Sequence, residues 1–156
     1  MNIVSLLDEK TVFPRLKADN KKEVLEKLIH SLRSHVDEDA LQKIYDAVFE
    51  RESIMSTGVG KGLAIPHGKA GGLTNNYAAF AILEQPVEYE AIDGMPVKMV
   101  FLLVGPESHN STHIKMLSRI SRLMNNAEFR DRLAEFEDAE SIIEAFKEEE
   151  NQFFGV

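Results

Sequence analysis

The middle of the chain, residues 51–69, reads RESIMSTGVGKGLAIPHGK. This stretch begins with a charged pair, passes through a glycine-rich segment at residues 56–62, and reaches the apolar run 63–65, which Pro66 stops. Its composition predicts the end of a helix, then a loop, and then a short strand that ends at His67. The apolar patterns before and after this stretch predict the remaining helices and strands.

Helical spacing of apolar residues precedes this stretch. Asn20 with Glu23 three residues later resembles a capping box. A first helix is predicted after it, with its apolar face at Val24, Leu25, Leu28, Ile29 and Leu32. A second helix is predicted from about Asp37, and it runs into the charged pair at residues 51–52, with its apolar face at Leu41, Ile44, Tyr45 and Val48.

Strands and further helices follow the stretch. Residues 77–83 and 98–104 are nearly continuous apolar runs, which are typical of strands covered on both faces, and a turn at 92–96 separates them. The last third is helical in pattern, with apolar faces at Met116, Leu117, Ile120, Leu123 and Met124, then at Phe129 and Leu133, then at Ile142, Ile143 and Phe146. The order predicts a three-layer α/β domain. No repeat or linker divides the chain, so we expect a single domain over residues 1–156.

Composition excludes several classes of function. The chain has 156 residues, no cysteine, and 26 acidic against 18 basic side chains, which gives a net charge of -8. Without cysteine there is no thiol nucleophile, disulfide or cysteine zinc site. The acidic excess argues against nucleic acid as the main partner and favours a basic protein surface. The amino terminus lacks the pattern of a signal peptide and the apolar runs are too short to cross a bilayer, so we expect a cytoplasmic protein with no membrane insertion.

His67 is the first candidate for chemistry. It follows Pro66 and precedes Gly68, so we expect an accessible ring at a strand end. An accessible neutral imidazole can act as a nucleophile, a general base or a metal ligand. The structural alternative is that the Pro-His-Gly segment is only a polar turn.

His109 and His113 form a second candidate because they are four residues apart. If one helix holds both, they provide half of a zinc site, with His67 as a third ligand. Residues 110–112 look like a helix start, however, which leaves His109 in the preceding loop and places His113 in the first turn. There the helix dipole lowers the pKa of the imidazole and favours a nearby anion such as a phosphoryl group.

The glycines of residues 58–62 do not fit a nucleotide-binding motif. A Walker loop requires Ser or Thr after its Gly-Lys, but Gly62 follows Lys61 here, and a dinucleotide fingerprint requires a helix where a strand is predicted. Closely spaced glycines still expose backbone N–H groups that can bind an anion. The alternative is a flexible connector.

Taken together, residues 51–69 resemble the signature of the fructose/mannitol-type enzyme IIA (EIIA type-2) of the phosphoenolpyruvate-dependent phosphotransferase system (PTS). Residues 89–97 and 112–117 agree with the family in order and spacing, so the resemblance covers nearly the whole chain. Residues 91–93 and 56–62 look most like the nitrogen-regulatory branch (PtsN). The resemblance implies the family's fold, a three-layer α/β/α domain with a central mixed sheet, which the anion-transporter cytosolic domain shares.

The resemblance also implies a phosphotransferase that acts mainly as a phosphocarrier. In that role His67 accepts a phosphoryl group from the phosphohistidine of a carrier protein, HPr or NPr. His113 and Arg51 match the family's residues that stabilise the phosphoryl group. Ser56, Thr57 and Gly58 are expected to add hydrogen bonds to it, and no cofactor or metal is expected.

The branch implies a phosphorylation-dependent regulator that binds target proteins. One alternative is a stand-alone IIA component of a fructose/mannitol-type sugar uptake system, which passes the phosphoryl group to a IIB domain. Another is a protein-binding scaffold of the same fold that is never phosphorylated, as in the cytosolic domain of anion-exchange proteins.

Overall fold

The structure is a computed structural model that describes residues 2–155. The expected domain, residues 1–156, includes Met1 and Val156, which lie outside the described residues. The elements within residues 2–155 are β1 (Val12–Leu16), α1 (Lys21–His30), α2 (Glu38–Ile54), β2 (Gly58–Gly60), β3 (Leu63–Ala64), β4 (His67–Ala70), β5 (Tyr77–Val87), β6 (Val97–Pro106), α3 (Asn110–Met124), α4 (Ala127–Ala134) and α5 (Ala139–Phe154). Short 3₁₀ helices lie at Val4–Leu6 and Ser31–Ser34.

The strands form one mixed sheet. Its order is β1-β5-β6-β3-β2, and β4 also pairs with β6. β1 is parallel to β5, and both β3 and β4 are parallel to β6. The pairs β5–β6 and β2–β3 are antiparallel. The long strands β5 and β6 are the two runs that the sequence predicts, each extended by a few residues.

Helices cover both faces of the sheet, which confirms the three-layer α/β/α prediction. Successive side chains of a strand point to opposite faces, so each long strand supplies two cores. α1 and α2 pack on the face that carries Ala79, Ala81 and Leu83 of β5. α3, α4 and α5 pack on the opposite face, which carries Ala78, Phe80 and Ile82.

The helices begin where the sequence predicts. The Asn20 side chain accepts from the N–H of Glu23 at 2.9 Å, and that of Asp37 accepts from Ala40 at 2.8 Å, so α1 and α2 have capped starts. α3 begins at Asn110, directly after His109. Among the helices of residues 2–155, none combines the length and the apolar character that a membrane span requires.

The sheet continues past the point where the sequence predicts a strand end. Ala64 lies opposite Val100 at the end of β3, and the register then continues into β4. There His67 lies opposite Leu103, whose N–H donates to the carbonyl oxygen of Pro66 at 3.0 Å. The prediction that the strand ends at His67 is therefore wrong. Proline removes only its own N–H from the ladder, and the residues beyond it still pair with β6.

Gly68 explains how a polar segment becomes strand β4. A Cβ at this position would lie 3.1 Å from the backbone nitrogen of Val48 and 3.2 Å from the backbone carbon of Ala47, both in α2. Glycine thus allows the α2 backbone to lie against the strand. Packing against α2 and pairing with β6 hold β4, rather than strand propensity.

Two other segments differ from their predictions. Residues 56–62 are predicted as a loop, but Gly58–Gly60 forms β2, where Gly58 pairs with Ala64 of β3. β1 is not predicted, because Pro14 weakens its strand pattern. Pro14 lacks a backbone N–H, and it is tolerated because β1 lies at the edge of the sheet, where one side of the strand needs no hydrogen bonds.

Candidate active site

His67 is the first residue of β4, and its ring is half-buried. Its Nδ1 lies 2.9 Å from the carbonyl oxygen of Ile65. A carbonyl oxygen only accepts, so this contact requires the proton of the neutral ring to be on Nδ1. Nε2 then carries the lone pair. The structure thus determines which nitrogen of His67 can act as a nucleophile.

The surroundings of His67 favour its neutral form. Burial is the main cause that lowers the pKa of His67 below its ordinary value, and the positive charge of Arg51 acts in the same direction. The hydrogen bond to Ile65 and the negative charge of Glu52 oppose the shift. Because the net shift is downward, the ring is neutral and nucleophilic at pH 7.

His113 lies behind His67, in the first turns of α3. The two ring centroids are 5.7 Å apart and the ring planes are tilted by 51°. Only 5% of His113 is exposed. Within residues 2–155, its Nδ1 is the one buried side-chain nitrogen or oxygen without a hydrogen-bond partner. Buried polar atoms in proteins are nearly always hydrogen-bonded, so an exception of this kind is a candidate for a catalytic role.

The pKa of His113 is lowered to about 4. Burial is the largest cause, followed by repulsion from the His67 ring when it is protonated, and then by the positive charge of Lys69. His113 is therefore neutral at pH 7. It can donate one N–H to an anion but brings no charge of its own, so the positive charge of the site has to come from another residue.

Arg51 supplies that charge from the last turn of α2. Its Nη1 donates to the carbonyl oxygen of Met55 at 2.8 Å, which holds the guanidinium beside the loop that follows the helix. Arg51 and His67 line one cleft of about 550 Å³, together with Ser56, Thr57 and Gly58. The sheet, α2 and α3 each contribute one of the three main candidate residues.

The remaining predicted site residues make hydrogen bonds within the protein. The hydroxyl of Ser56 donates to the carbonyl oxygen of Tyr89 at 3.0 Å and accepts from the N–H of Gly58 at 3.1 Å. Both the N–H and the hydroxyl of Thr57 donate to Glu52. A role for these three residues in phosphoryl binding stays a prediction, and it requires some of these bonds to be exchanged.

The cleft has an apolar rim that sequence reasoning missed. Met55, Val59 and Ile92 line it, and they are 68%, 52% and 82% exposed. Large apolar side chains at this exposure are typical of a surface that contacts another protein. Met55 and Val59 belong to residues 51–69, whereas Ile92 lies more than thirty residues later, so only the fold brings the three together.

The zinc alternative has no structural basis in the described part of the chain. Residues 2–155 contain no group of three or more His, Asp or Glu side chains placed to hold a metal ion. His109 precedes α3 and is exposed, as the predicted helix start requires.

Comparisons with known proteins show which proteins this chain resembles. The model of the family "Phosphoenolpyruvate-dependent sugar phosphotransferase system, EIIA 2" matches residues 5–149. The nitrogen regulatory protein of Bradyrhizobium diazoefficiens is 34% identical over 142 residues, which are 91% of this chain and 92% of that protein. The fructose-specific EIIABC component of Bacillus subtilis is 35% identical over 144 residues, which are 92% of this chain but only 23% of that protein. The crystal structure of nitrogen regulatory protein IIA-Ntr from Neisseria meningitidis superimposes with a TM-score of 0.83 at 28% identity, over 92% of this chain and 97% of that one.

The low pKa of His113 predicts a pH dependence of stability. Between about pH 4 and pH 6.5 the unfolded chain binds a proton at this position and the folded protein does not, so the free energy of unfolding rises with pH. His113→Gln removes this contribution and is expected to flatten the rise. Urea unfolding at several pH values in this window measures it.

The matched control for that prediction is His109→Gln, which changes an exposed histidine next to the same helix start. We expect its pH dependence to equal that of the unmodified protein. If His113→Gln also leaves the slope unchanged, His113 is not held neutral in the folded protein.

Proposed function

The chain belongs to the EIIA 2 family of the phosphoenolpyruvate-dependent sugar phosphotransferase system, and we propose that its His67 accepts a phosphoryl group from the phosphohistidine of a carrier protein, HPr or NPr. The observation that carries the proposal is the contact between Nδ1 of His67 and the carbonyl oxygen of Ile65. It leaves the lone pair on Nε2, in a ring whose lowered pKa keeps it neutral.

The transfer is a displacement at phosphorus. Nε2 of His67 forms a bond to phosphorus while the bond to the carrier's ring nitrogen breaks, and that electron pair returns to the carrier's imidazole. The phosphorylated ring of His67 keeps its proton on Nδ1, so its hydrogen bond to Ile65 becomes stronger as the ring gains positive character. No proton has to move for the transfer itself.

Arg51 and His113 have different tasks in this scheme. Arg51 brings a fixed positive charge to the phosphoryl oxygens, whose negative charge is greatest during transfer. Neutral His113 donates an N–H from a buried position close to His67. Donors that are already fixed in place need no reorganisation during the reaction, so they contribute more than flexible surface groups.

The apolar rim of the cleft supports a protein as the donor. Met55, Val59 and Ile92 surround the cleft into which His67 points and offer contact area to a docked partner. The net charge of -8 favours a partner with a more basic surface. Both features fit a carrier protein better than a small phosphate donor.

Labelling tests the acceptor assignment. The protein is mixed with phosphoenolpyruvate, enzyme I and the carrier, and we expect one acid-labile phosphoryl group by intact mass. His67→Ala should abolish it, because within residues 2–155 His67 is the histidine whose side chain lines the cleft. His109→Ala, an exposed histidine outside the cleft, should be labelled as fully as the unmodified protein.

Equal labelling of His67→Ala and the unmodified protein would reject His67 as the acceptor. No labelling of the unmodified protein by either HPr or NPr would favour the alternative of a scaffold that binds partners without phosphorylation.

For the role after phosphorylation, we propose a phosphorylation-dependent regulator of the nitrogen-regulatory type. The support is that the Bradyrhizobium and Neisseria relatives, both named as nitrogen regulatory proteins, match along nearly their whole length. A phosphoryl group on His67 adds about -1.5 to -2 charges inside an apolar rim. Such a change alters which partners can dock there without a large conformational change.

The second candidate is a IIA component of a fructose/mannitol-type sugar uptake system, favoured by the 35% identity to the Bacillus subtilis fructose-specific EIIABC component. Transfer to IIB domains separates the two. We expect the phosphorylated protein to lose its label to sugar-specific IIB domains of the same organism only slowly, because a regulator does not have to deliver the group. Rapid and complete transfer to one of them would establish the sugar-uptake role instead.

A further inference from the structure

Glu52 is a buried carboxylate one residue after Arg51. Only 7% of it is exposed. Its Oε2 accepts from the N–H of Thr57 at 2.7 Å, and its Oε1 accepts from the Thr57 hydroxyl. The hydroxyl of Tyr89 lies 3.2 Å from Oε1 and also donates to it.

Lys21 of α1 neutralises this carboxylate. Its Nζ lies 3.0 Å from Oε2 of Glu52 and 4.5 Å from the centre of the Tyr89 ring. A charge buried at this depth destabilises a protein unless it is both paired and hydrogen-bonded, and Glu52 meets both conditions. Burial, and then the charge of Glu52, raises the pKa of Tyr89 above its ordinary value, so its phenol remains a donor.

The cluster holds two segments of the cleft wall together. The N–H of Ile92 donates to the carbonyl oxygen of Gly58 at 2.9 Å. A Cβ at Gly58 would lie 2.8 Å from the Cα of Ala91, so the two backbones approach as closely as a glycine allows. Glu52 binds the same segments from behind through Thr57 and Tyr89. The position of the wall therefore depends on the Glu52 carboxylate.

Three hydrogen bonds, joined through the backbones of Thr57 and Ile65, connect Glu52 to His67. Glu52 accepts from Thr57, and the carbonyl oxygen of Thr57 accepts from the N–H of Ile65 at 3.0 Å. The carbonyl oxygen of Ile65 lies 2.9 Å from Nδ1 of His67. Ile65, whose carbonyl oxygen determines the tautomer of His67, is thus held by Thr57, and Thr57 is held by Glu52.

We propose that Glu52 is a positioning residue for phosphoryl acceptance, which acts through Thr57 and Ile65 to keep Nε2 of His67 aimed into the cleft as the nucleophile. This inference rests on the proposed function. Glu52 does not touch the reacting atoms, and its effect is on the orientation and charge state of the ring that does.

The charge of Glu52 provides a second route to the same ring. It raises the pKa of His67 against the effects of burial and of Arg51. His113 lies on α3 beside His67, and Lys69 of β4 donates to Asn110 at the start of α3. Removing the charge alone is therefore expected to lower the pKa of His67 further. Removing the hydrogen bonds as well is expected to disturb its tautomer.

Two substitutions separate these effects. In Glu52→Gln the amide oxygen can still accept from the Thr57 N–H, and the amide group can donate to the Thr57 hydroxyl oxygen. We expect this variant to keep most of the acceptance rate and to show a lower pKa of His67. Glu52→Ala loses both bonds and loosens the wall that carries Val59 and Ile92 of the apolar rim. We therefore expect its maximal rate at saturating carrier to fall by about tenfold or more and its KM for the carrier to rise.

The matched control is Glu149→Ala. Glu149 is also 7% exposed, but it lies on α5 beyond the opposite face of the sheet and accepts from Asn126 at 3.0 Å. Truncating it removes an equally buried carboxylate, so it reproduces a general loss of stability. We expect its rate per folded molecule to equal that of the unmodified protein.

Two measurements are made on each variant: the acceptance rate per folded molecule, and the ¹⁵N spectrum of the His67 ring without any phosphoryl donor. The spectrum reports the tautomer and the pKa of His67 whether or not the protein is ever phosphorylated. Failure to label the unmodified protein would therefore reject the proposed function, while the spectrum would still test whether Glu52 positions the ring. If Glu52→Ala does not fold, the test uses Glu52→Gln. A lower pKa of His67 in that variant supports the proposal, and an unchanged pKa rejects it. An unchanged His67 spectrum in the folded variants, or a Glu52→Ala rate equal to that of the control, would overturn the proposal.

Discussion

The carbonyl oxygen of Ile65 lies 2.9 Å from Nδ1 of His67, and the proposed phosphoryl acceptance depends on this contact. The carbonyl oxygen is available because Ile65 bonds on the β2 side of its strand and makes no bond to β6. The N–H of Ile65 bonds to Thr57 next to β2, whereas the carbonyl oxygen of Pro66 bonds to Leu103 of β6. Ile65 is thus held to β2 through its N–H, and its carbonyl oxygen remains for the ring two residues further on.

The three-layer architecture explains why the site forms at this place. His67 comes from the sheet, Arg51 from the end of α2 on one face, and His113 from the start of α3 on the other. Gly68 lets α2 lie against β4, which brings the end of that helix to the strand that carries His67. Burial between the layers then lowers the pKa of both histidines, so the fold supplies two neutral rings and one permanent cation.

Much of this could be predicted from the sequence. Periodic apolar residues predicted the helices and the strands β5 and β6, because burial on one or both faces leaves a pattern along the chain. β2 and β4 show no such apolar pattern, because they consist largely of glycine and polar residues. They are held by pairing with β3 and β6, which are other segments of the chain. The roles of His67, His113 and Arg51 were suggested by resemblance to a family. Glu52 was only half of a charged pair until the structure showed its buried contacts with Thr57, Tyr89 and Lys21.

The most direct test of the account is to identify which nitrogen of His67 carries the phosphoryl group. Long-range ¹H–¹⁵N correlation spectra of the phosphorylated protein distinguish the two ring nitrogens. The account predicts phosphorus on Nε2, with the proton retained on Nδ1 and hydrogen-bonded to Ile65. Phosphorus on Nδ1 would contradict it, because that nitrogen faces the carbonyl oxygen and would have to leave it before it could attack.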